Sequence, residues 1–405
     1  MNILMLAEVS ADSVIGGAER VLREQALGLQ RRGHDVCIVA RAPAGDRRSH
    51  VQIDGVTEYR YAVARGNEAA FVLSSLLRSL RLFDRRREET PLDAVVVHQP
   101  LAGLGPVLRR RTKAAGWIYV CHSLAHEEYL SRTPSAPDSI RRARRMLNAK
   151  LRLMSERAVL RRCARVVVLS EFMKRQVIAT HRVLPEKLAI VPGGADPDRF
   201  RPSDDPMEVR HALSLPVGKV LLFTVRNLVA RMGLENLIRA VSQLGEEGSD
   251  LLLLIGGEGP LRGPLEQLIA DLGLSERVRL LGFVPEELLP LYYRAVDLVL
   301  MPSSEMEGFG LVTIEAMACG TPVLGAPVGA IPEILTRVDP ILLADGTDSA
   351  ALAKGIRRLL RRFRDRPAEQ RRVSQRGREL VEADYNWVRH CERLEAILNN
   401  VRREE

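Results

Sequence analysis

The sequence predicts an α/β protein made of two Rossmann-like domains with a cleft between them, and three observations carry that reading. The chain has 405 residues, long for one core and sufficient for two domains of about 200 residues each. Short apolar runs alternate with segments of helical period from end to end, as in parallel sheets covered by helices on both faces. The alternation also pauses at the polar, proline-bearing stretch Arg201-Pro202-Ser203-Asp204-Asp205-Pro206 and then restarts. The expected division is therefore residues 1–200 as the first domain, 201–217 as a linker, 218–384 as the second domain and 385–405 as a last helix.

In the first half, Asn2–Ala7 reads as a buried strand followed by a loop containing Gly16-Gly17-Ala18-Glu19. A helix pattern through Val21, Leu22, Ala26, Leu27 and Leu29 ends at Gly33, and Val36–Ala40 is the next strand. Open α/β sheets bind ligands at the carboxyl ends of their strands, so Gly17 is a candidate for close backbone approach to a ligand. Asp93–His98 and Gly116–Cys121 are further strands, and they deliver His98 and His122 to that edge. Ser139–Arg165 follows as a long helix. Ile140, Ala143, Leu147, Leu151, Met154 and Ala158 recur at steps of three and four and form one apolar face. The same helix carries ten basic residues from Arg141 to Arg165 against one acid, Glu156. A solvated face accounts for that charge, and so does an interfacial helix on anionic lipid or a phosphorylated acceptor; both readings stay open. A second arginine cluster, Arg78 to Arg87, ends an earlier helix. Val166–Leu169 and Lys187–Val191 complete the strands of this half.

In the second half, Val220–Val225 runs into Arg226-Asn227-Leu228-Val229-Ala230-Arg231-Met232-Gly233, and Leu251–Ile255 into Gly256-Gly257-Glu258-Gly259-Pro260. Val278–Leu281 leads to Gly282-Phe283-Val284, Asp297–Met301 to a glycine-bearing loop, and Pro322–Gly325 is the last strand. The tail from Leu380 to Val401 is helical, anchored by Trp387, Leu394, Ile397 and Leu398.

The net charge of +9 comes almost wholly from arginine. It favours an anionic partner: a nucleotide, a phospholipid surface or a nucleic acid. The five cysteines are scattered with no C-x-x-C pair, as for buried thiols in a reducing compartment rather than a metal site. No window reaches the roughly 20 uninterrupted apolar residues of a spanning helix, and the amino terminus reads as a strand rather than a leader. The expected location is the cytoplasm, or the inner face of the membrane as a peripheral protein. Asp196-Pro197-Asp198 matches a D-x-D string, but beside the linker it is not expected to bind metal.

The chemistry concentrates in Met301–Glu333. Glu307 and Glu315 lie eight positions apart, which on one helix would set them about 80° out of line. The spacing fits a loop position for Glu307 and a first-turn position for Glu315, with Gly308-Phe309-Gly310-Leu311 between them. Strand, glycine loop and helix start point free N–H groups at a phosphate. A carboxylate there would repel a diphosphate and is useful only to hydroxyl groups, which sugars and ribose offer in pairs. Glu307 then holds a sugar, Glu315 a ribose, and the loop the phosphates between them. Taken singly, Glu307 also reads as a solvated loop acid and Glu315 as a helix-dipole partner.

The run E-G-F-G-L-x-x-x-E-A-M-A-C-G-x-P-V beginning at Glu307 resembles the glutamate pair of the retaining glycosyltransferases of family 4, which have the two-domain GT-B fold. Gly16-Gly17-Ala18-Glu19, His122, Ser170-Glu171, the 192–200 segment, Gly257-Glu258-Gly259-Pro260 and Gly282-Phe283-Val284 join it in the family's order, so the resemblance covers essentially the whole chain. It implies a UDP- or GDP-linked hexosyl donor held mainly by the second domain, with Glu307 and the backbone of Gly308, Phe309, Gly310 and Leu311 on the sugar. Glu315 would take the ribose, the Val284 region the base, and Gly257 would also line the donor site. Gly17 would approach the diphosphate and His122 the sugar, with Glu307 and His122 as the catalytic pair. The tail from Tyr385 is similar to the family's last helix, which crosses back to the first domain. The family habit and the basic helices suggest a glycan or lipid-linked acceptor in cell-envelope or extracellular polysaccharide synthesis, with an anionic membrane surface at the Arg141–Arg165 helix and no nucleic acid. No side chain stands out as a covalent nucleophile. With Arg226, Arg231 and a helix N-terminus to neutralise the diphosphate, neither metal nor other cofactor is required.

One position departs from the family pattern: Met232 stands where a lysine is expected before Gly233, and Arg231 is the neighbouring charge that could replace it. That departure keeps a non-catalytic nucleotide-sugar-binding module open as an alternative. So is another GT-B enzyme, a nucleotide-sugar epimerase or a phosphorylase, although the lysine a phosphorylase needs has no suitable counterpart.

Overall fold

A computed structural model describes residues 1–109, 116–133 and 138–404. The chain divides into two compact units, Met1–Gly193 with Trp387–Glu405, and Gly194–Asn386. Both are α/β units built on largely parallel sheets, as the sequence predicts.

The first unit holds strands β1 (Asn2–Ala7), β2 (Asp35–Arg41), β3 (His50–Ile53), β4 (Val56–Tyr61), β5 (Ala94–Val97), β6 (Gly116–Cys121), β7 (Arg165–Val168) and β8 (Leu188–Ile190). Their order is β3-β4-β2-β1-β5-β6-β7-β8, parallel throughout except where β3 runs antiparallel to β4. Runs such as Ala-Val-Val-Val in β5 and Trp-Ile-Tyr-Val in β6 are buried on both faces, which is why they read as continuous apolar segments without alternation. Helices α1 (Gly17–Arg31), α2 (Glu68–Glu89), α3 (Pro100–Leu108), α4 (Ala125–Arg132), α5 (Ser139–Arg162) and α6 (Glu171–His181) cover the sheet. The hairpin of β3 and β4 was not expected from the sequence. Asp54 and Gly55 both take positive φ, 46° and 93°, in the two-residue turn that a D-G pair favours. That pair was the available signal.

The second unit holds α7 (Pro206–Ala212), β9 (Val220–Val225), α8 (Leu234–Gln243), β10 (Leu251–Gly256), α9 (Arg262–Asp271), β11 (Val278–Gly282), α10 (Leu289–Ala295), β12 (Leu298–Met301), α11 (Leu311–Ala318), β13 (Val323–Gly325), α12 (Ile331–Val338), α13 (Ser349–Asp365) and α14 (Pro367–Asp384). Its sheet is wholly parallel in the order β11-β10-β9-β12-β13. The direction of winding reverses between β9 and β12, and in open α/β sheets that switch point is where the strand ends part to admit a ligand.

Three expectations change. Residues 201–217 are not a free linker, because they belong to the second unit and contain α7, capped by Asp205. Arg210 of α7 is buried, and it donates to the Ala295 carbonyl at 2.7 Å and to Asp297 at 2.9 Å. The long basic helix ends at Arg162, since Arg165 already begins β7. Its predicted apolar face also points outward: Ile140, Leu147, Leu151 and Met154 are exposed, while Ala149, Glu156, Val159 and Leu160 are buried. The tail is two helices broken at Tyr385-Asn386, and the second, α15 (Trp387–Glu404), is part of the first unit, where it lies against α1 and β6. Arg32 donates to Glu395 at 2.8 Å and the His34 ring meets the same carboxylate at 2.7 Å. Position 405 lies outside the described residues.

Candidate functional site

The two strands that flank the switch point of the second unit each end in a charged loop, and those loops are joined. Arg226 is the first residue after β9. Its guanidinium is buried, pairs with Glu307 of the loop after β12, and donates to Ser303 Oγ at 2.7 Å. Ser303 Oγ also donates to Glu307 at 2.8 Å. Burial opposes the charge on Glu307, but the attraction of Arg226, the hydrogen bonds from Arg226 and Ser303, and the nearby charge of Arg231 outweigh it. The Glu307 pKa is lowered, and the group is a carboxylate acting as acceptor only.

Met232 enters the same cluster. Its thioether sulfur lies 3.0 Å from Arg226 Nη2 and 3.3 Å from Nε, and the sulfur of Met301 lies 3.2 Å from Nη1. The methionine at the departure from the family pattern thus packs against the arginine it would be expected to assist, contributing a weak acceptor and no charge. Arg231 donates to the Met306 carbonyl at 3.2 Å, and its own carbonyl accepts from the Ser304 backbone at 2.9 Å. Met306 has φ 48°, a left-handed conformation that costs about 1 kcal/mol for such a residue, and the Arg231 contact fixes the carbonyl of that turn. Gly233 has φ 68°, and a Cβ there would lie 1.9 Å from the Pro302 carbonyl, so the two loops approach closely only because this residue has no side chain.

Past Glu307, Gly310 caps α11 with φ 86°, and the helix begins at Leu311. Phe309 is buried with its ring against Tyr385 at 5.8 Å, so its side chain anchors the loop. Glu315 is buried inside α11 and accepts from Tyr293 Oη at 2.9 Å. The two glutamates therefore have separate surroundings, an arginine for one and a tyrosine for the other. Gly257 takes φ 126°, where a Cβ would fall 1.9 Å from the Arg226 carbonyl; it lets the loop after β10 lie against the end of β9. Val284 is buried beyond β11, while Phe283 beside it is half exposed. Asp196 Oδ1 accepts from the backbone of Asp198 at 2.9 Å and of Arg199 at 3.3 Å, so the D-x-D string forms a turn. Among the described residues no cluster of histidine, cysteine, aspartate and glutamate has the makings of a metal site.

In the first unit, Gly17 opens α1 directly after the β1 loop. His98 and His122 stand at the neighbouring ends of β5 and β6, with His98 Nδ1 3.0 Å from His122 Nε2. Burial holds both imidazoles neutral, pushing His122 down to about 4 and His98 well below its ordinary value. Sequence reasoning missed Ser303, Tyr293, and the part Met232 plays against Arg226. The serines after β12 were visible, but the partners of the other two are set by packing.

Against known proteins, a sequence model described as glycosyl transferases group 1 matches residues 207–380, and one described as glycosyltransferase family 4 matches residues 15–199. The chain is 30% identical over 403 residues to a 2-deoxystreptamine glucosyltransferase of Streptomyces kanamyceticus, covering 96% of each protein. It is 31% identical over 375 residues to a D-inositol 3-phosphate glycosyltransferase of Mycobacterium sp. (strain JLS), covering 89% of this chain and 80% of the relative. Among solved structures, sucrose-phosphate synthase from Thermosynechococcus elongatus aligns over 100% of both chains with a TM-score of 0.81 at 23% identity. Anabaena HepE, solved with UDP-glucose, aligns over 99% of this chain and 100% of its own with a TM-score of 0.76 at 18% identity.

Proposed function

The chain belongs to glycosyltransferase family 4, and from that premise we propose that it transfers a hexosyl group from a UDP- or GDP-linked sugar with retention of configuration. The observation that carries this reading is Glu307, held ionised by Arg226 and Ser303 at the switch point and followed directly by the open N-terminus of α11. In this reading Glu307 accepts hydrogen bonds from the sugar hydroxyls, and the 308–311 backbone donates to the donor. Glu315 exchanges its tyrosine contact for the ribose, and the Val284 segment and Gly257 loop border the base. Gly17 and His122 are the contributions of the first unit. Arg226 and Arg231 stabilise charge on the departing diphosphate, which is the main source of rate in such a transfer and assigns no step to a metal. The diphosphate itself helps remove the proton of the acceptor hydroxyl.

The test is a panel of nucleotide sugars with release of nucleoside diphosphate as readout. At least one donor should turn over, and Glu307→Gln should lower kcat/KM by about a hundredfold. No release with any donor, and a Glu307→Gln variant that behaves like the parent, would favour a non-catalytic binding module.

For the acceptor we propose a glycan or lipid-linked molecule presented at an anionic membrane surface, as in cell-envelope or extracellular polysaccharide synthesis. The outward row of Ile140, Leu147, Leu151 and Met154 on α5, flanked by arginines, supports it. So does the arginine-rich end of α2. No described helix is long and apolar enough to cross a membrane, so the contact would be peripheral. Co-sedimentation with phosphatidylserine vesicles should exceed that with phosphatidylcholine and fall several-fold in a Leu147→Ser, Leu151→Ser variant; equal binding by parent and variant counts against it. The names of these two relatives favour a small cyclitol acceptor instead, so 2-deoxystreptamine and inositol phosphate belong in the same assay.

A further inference from the structure

The two histidines at the ends of β5 and β6 form one hydrogen-bonded unit whose proton arrangement follows from burial. Their ring centres are 5.2 Å apart and their planes differ by 21°. With 3.0 Å between His98 Nδ1 and His122 Nε2, the rings lie edge to edge, joined nitrogen to nitrogen. Both are neutral, so the pair holds two protons on four nitrogens. One proton lies in the bridge, and the other is on the outer nitrogen of whichever ring accepts.

The outer nitrogens, His98 Nε2 and His122 Nδ1, have no hydrogen-bond partner among the described residues, nor does Gln25 Oε1 nearby. His390 of α15 completes the surroundings. Its Nδ1 lies 2.7 Å from the Pro192 carbonyl and must donate to it, so its Nε2, 2.9 Å from Gln25 Nε2, accepts. An unpaired donor is the rarer condition inside proteins, and a bare acceptor is tolerated more often. Both outer nitrogens are themselves closed to solvent, but the His98 side chain is 1% exposed and His122 is less completely buried as a whole, so a spare N–H is less costly on His122 and the bare acceptor belongs on His98. The carboxylate of Glu128 acts on His122 in the same direction, favouring positive charge there.

We propose that His98 is a positioning residue: its Nδ1–H donates to His122 Nε2 and fixes His122 as the Nδ1–H tautomer. In that form His122 meets a ligand as a neutral hydrogen-bond donor to oxygen and is not a base. The tautomer of one ring nitrogen is commonly set by the bond the other makes, and here the second partner is another imidazole. This deepens the donor-site reading above and rests on it only for the identity of the oxygen.

Long-range proton–nitrogen NMR of the full chain, with 15N-labelled histidine near pH 7.5, tests the assignment directly. The expected result is a protonated Nδ1 and a bare Nε2 on His122. An Nε2–H form of His122 in the parent protein overturns the proposal without any variant. In His98→Leu, His122 should lose that form and become predominantly Nε2–H, while His98→Asn, which keeps a donor near the position of Nδ1, should retain it. Persistence of Nδ1–H in folded His98→Leu also overturns it. With an active donor, kcat/KM should fall about tenfold in His98→Leu and largely recover in His98→Asn. The NMR result stands apart from catalysis, so a chain that turns over no donor would remove the transfer reading while leaving the histidine pairing supported or overturned on its own signal.

Discussion

Arg226 is the residue whose partners decide how the proposed donor site would work. Its guanidinium is occupied by Glu307, Ser303 and two methionine sulfurs, so in the proposed function a diphosphate would have to displace weak thioether contacts with its phosphate oxygens. That exchange is favourable, since charge-assisted bonds are about twice as strong as neutral ones. Met232→Lys would place an ammonium beside Arg226 and near Glu307. We expect it to share the carboxylate, free Arg226 for phosphate, and lower the donor KM by about tenfold with a smaller change in kcat. An unchanged or higher KM would mean that Arg231 already supplies the missing charge and that the added cation only repels its neighbour. The glutamate and glycines of this site were legible in the sequence, whereas Ser303 stood in view there without an assigned role. The use of Met232 as an acceptor for Arg226 was not, because a methionine in a chain carries no sign of what its sulfur will face.

Helix α15 ties the last residues of the chain to the first unit through buried polar contacts as well as packing, and this gives it a pH dependence. Burial lowers His390 to about 4, partly offset by its bond to the Pro192 carbonyl. Unfolded, the imidazole takes up a proton below about 6.5, whereas folded it stays neutral to about 4. Stability from this group is therefore full above pH 6.5 and lost as pH falls from there to about 4. The difference corresponds to about 3 kcal/mol. Denaturation followed at pH 7 and pH 4.5 should show the parent losing stability at acid pH, with the loss reduced in His390→Gln. Equal losses in both would remove His390 as the source. Helix α5 teaches the converse about elements. Its apolar period was read correctly, but periodicity identifies a face without saying what covers it, and the buried face is carried by Ala149, Glu156, Val159 and Leu160. There Glu156 accepts from Tyr119 at 2.9 Å and meets His181 at 3.0 Å, partners that satisfy an acid in a core position.

For the whole molecule, the division into a discontinuous first unit and a continuous second one has a thermal consequence. The first unit needs Trp387–Glu405, whereas Gly194–Asn386 is a single stretch. Ending the chain after Asn386 would uncover α1 at Gly28, where the backbone lies so close to Cys391 that a Cβ would fall 2.2 Å from its sulfur, and would strand Glu395's partners. Calorimetry of the truncated chain should show one transition lowered by several degrees and the other nearly unchanged. A uniform shift, or none, would contradict the division.

Apart from the β3–β4 hairpin, the strand positions, the glycines after them and the glutamate run were determined by the sequence alone, because each depends on residues close along the chain: apolar runs, turn chemistry, an eight-residue spacing. Only the tertiary structure decided that residues 201–217 pack as part of a domain, that the apolar row of α5 faces outward, and which side chains hold the site. Arg226 and Glu307 are 81 residues apart, and Gln25 and His390 are 365 apart. Each pair forms inside one unit, where the fold brings distant segments together and burial favours polar groups that find a partner, a constraint that no local pattern records.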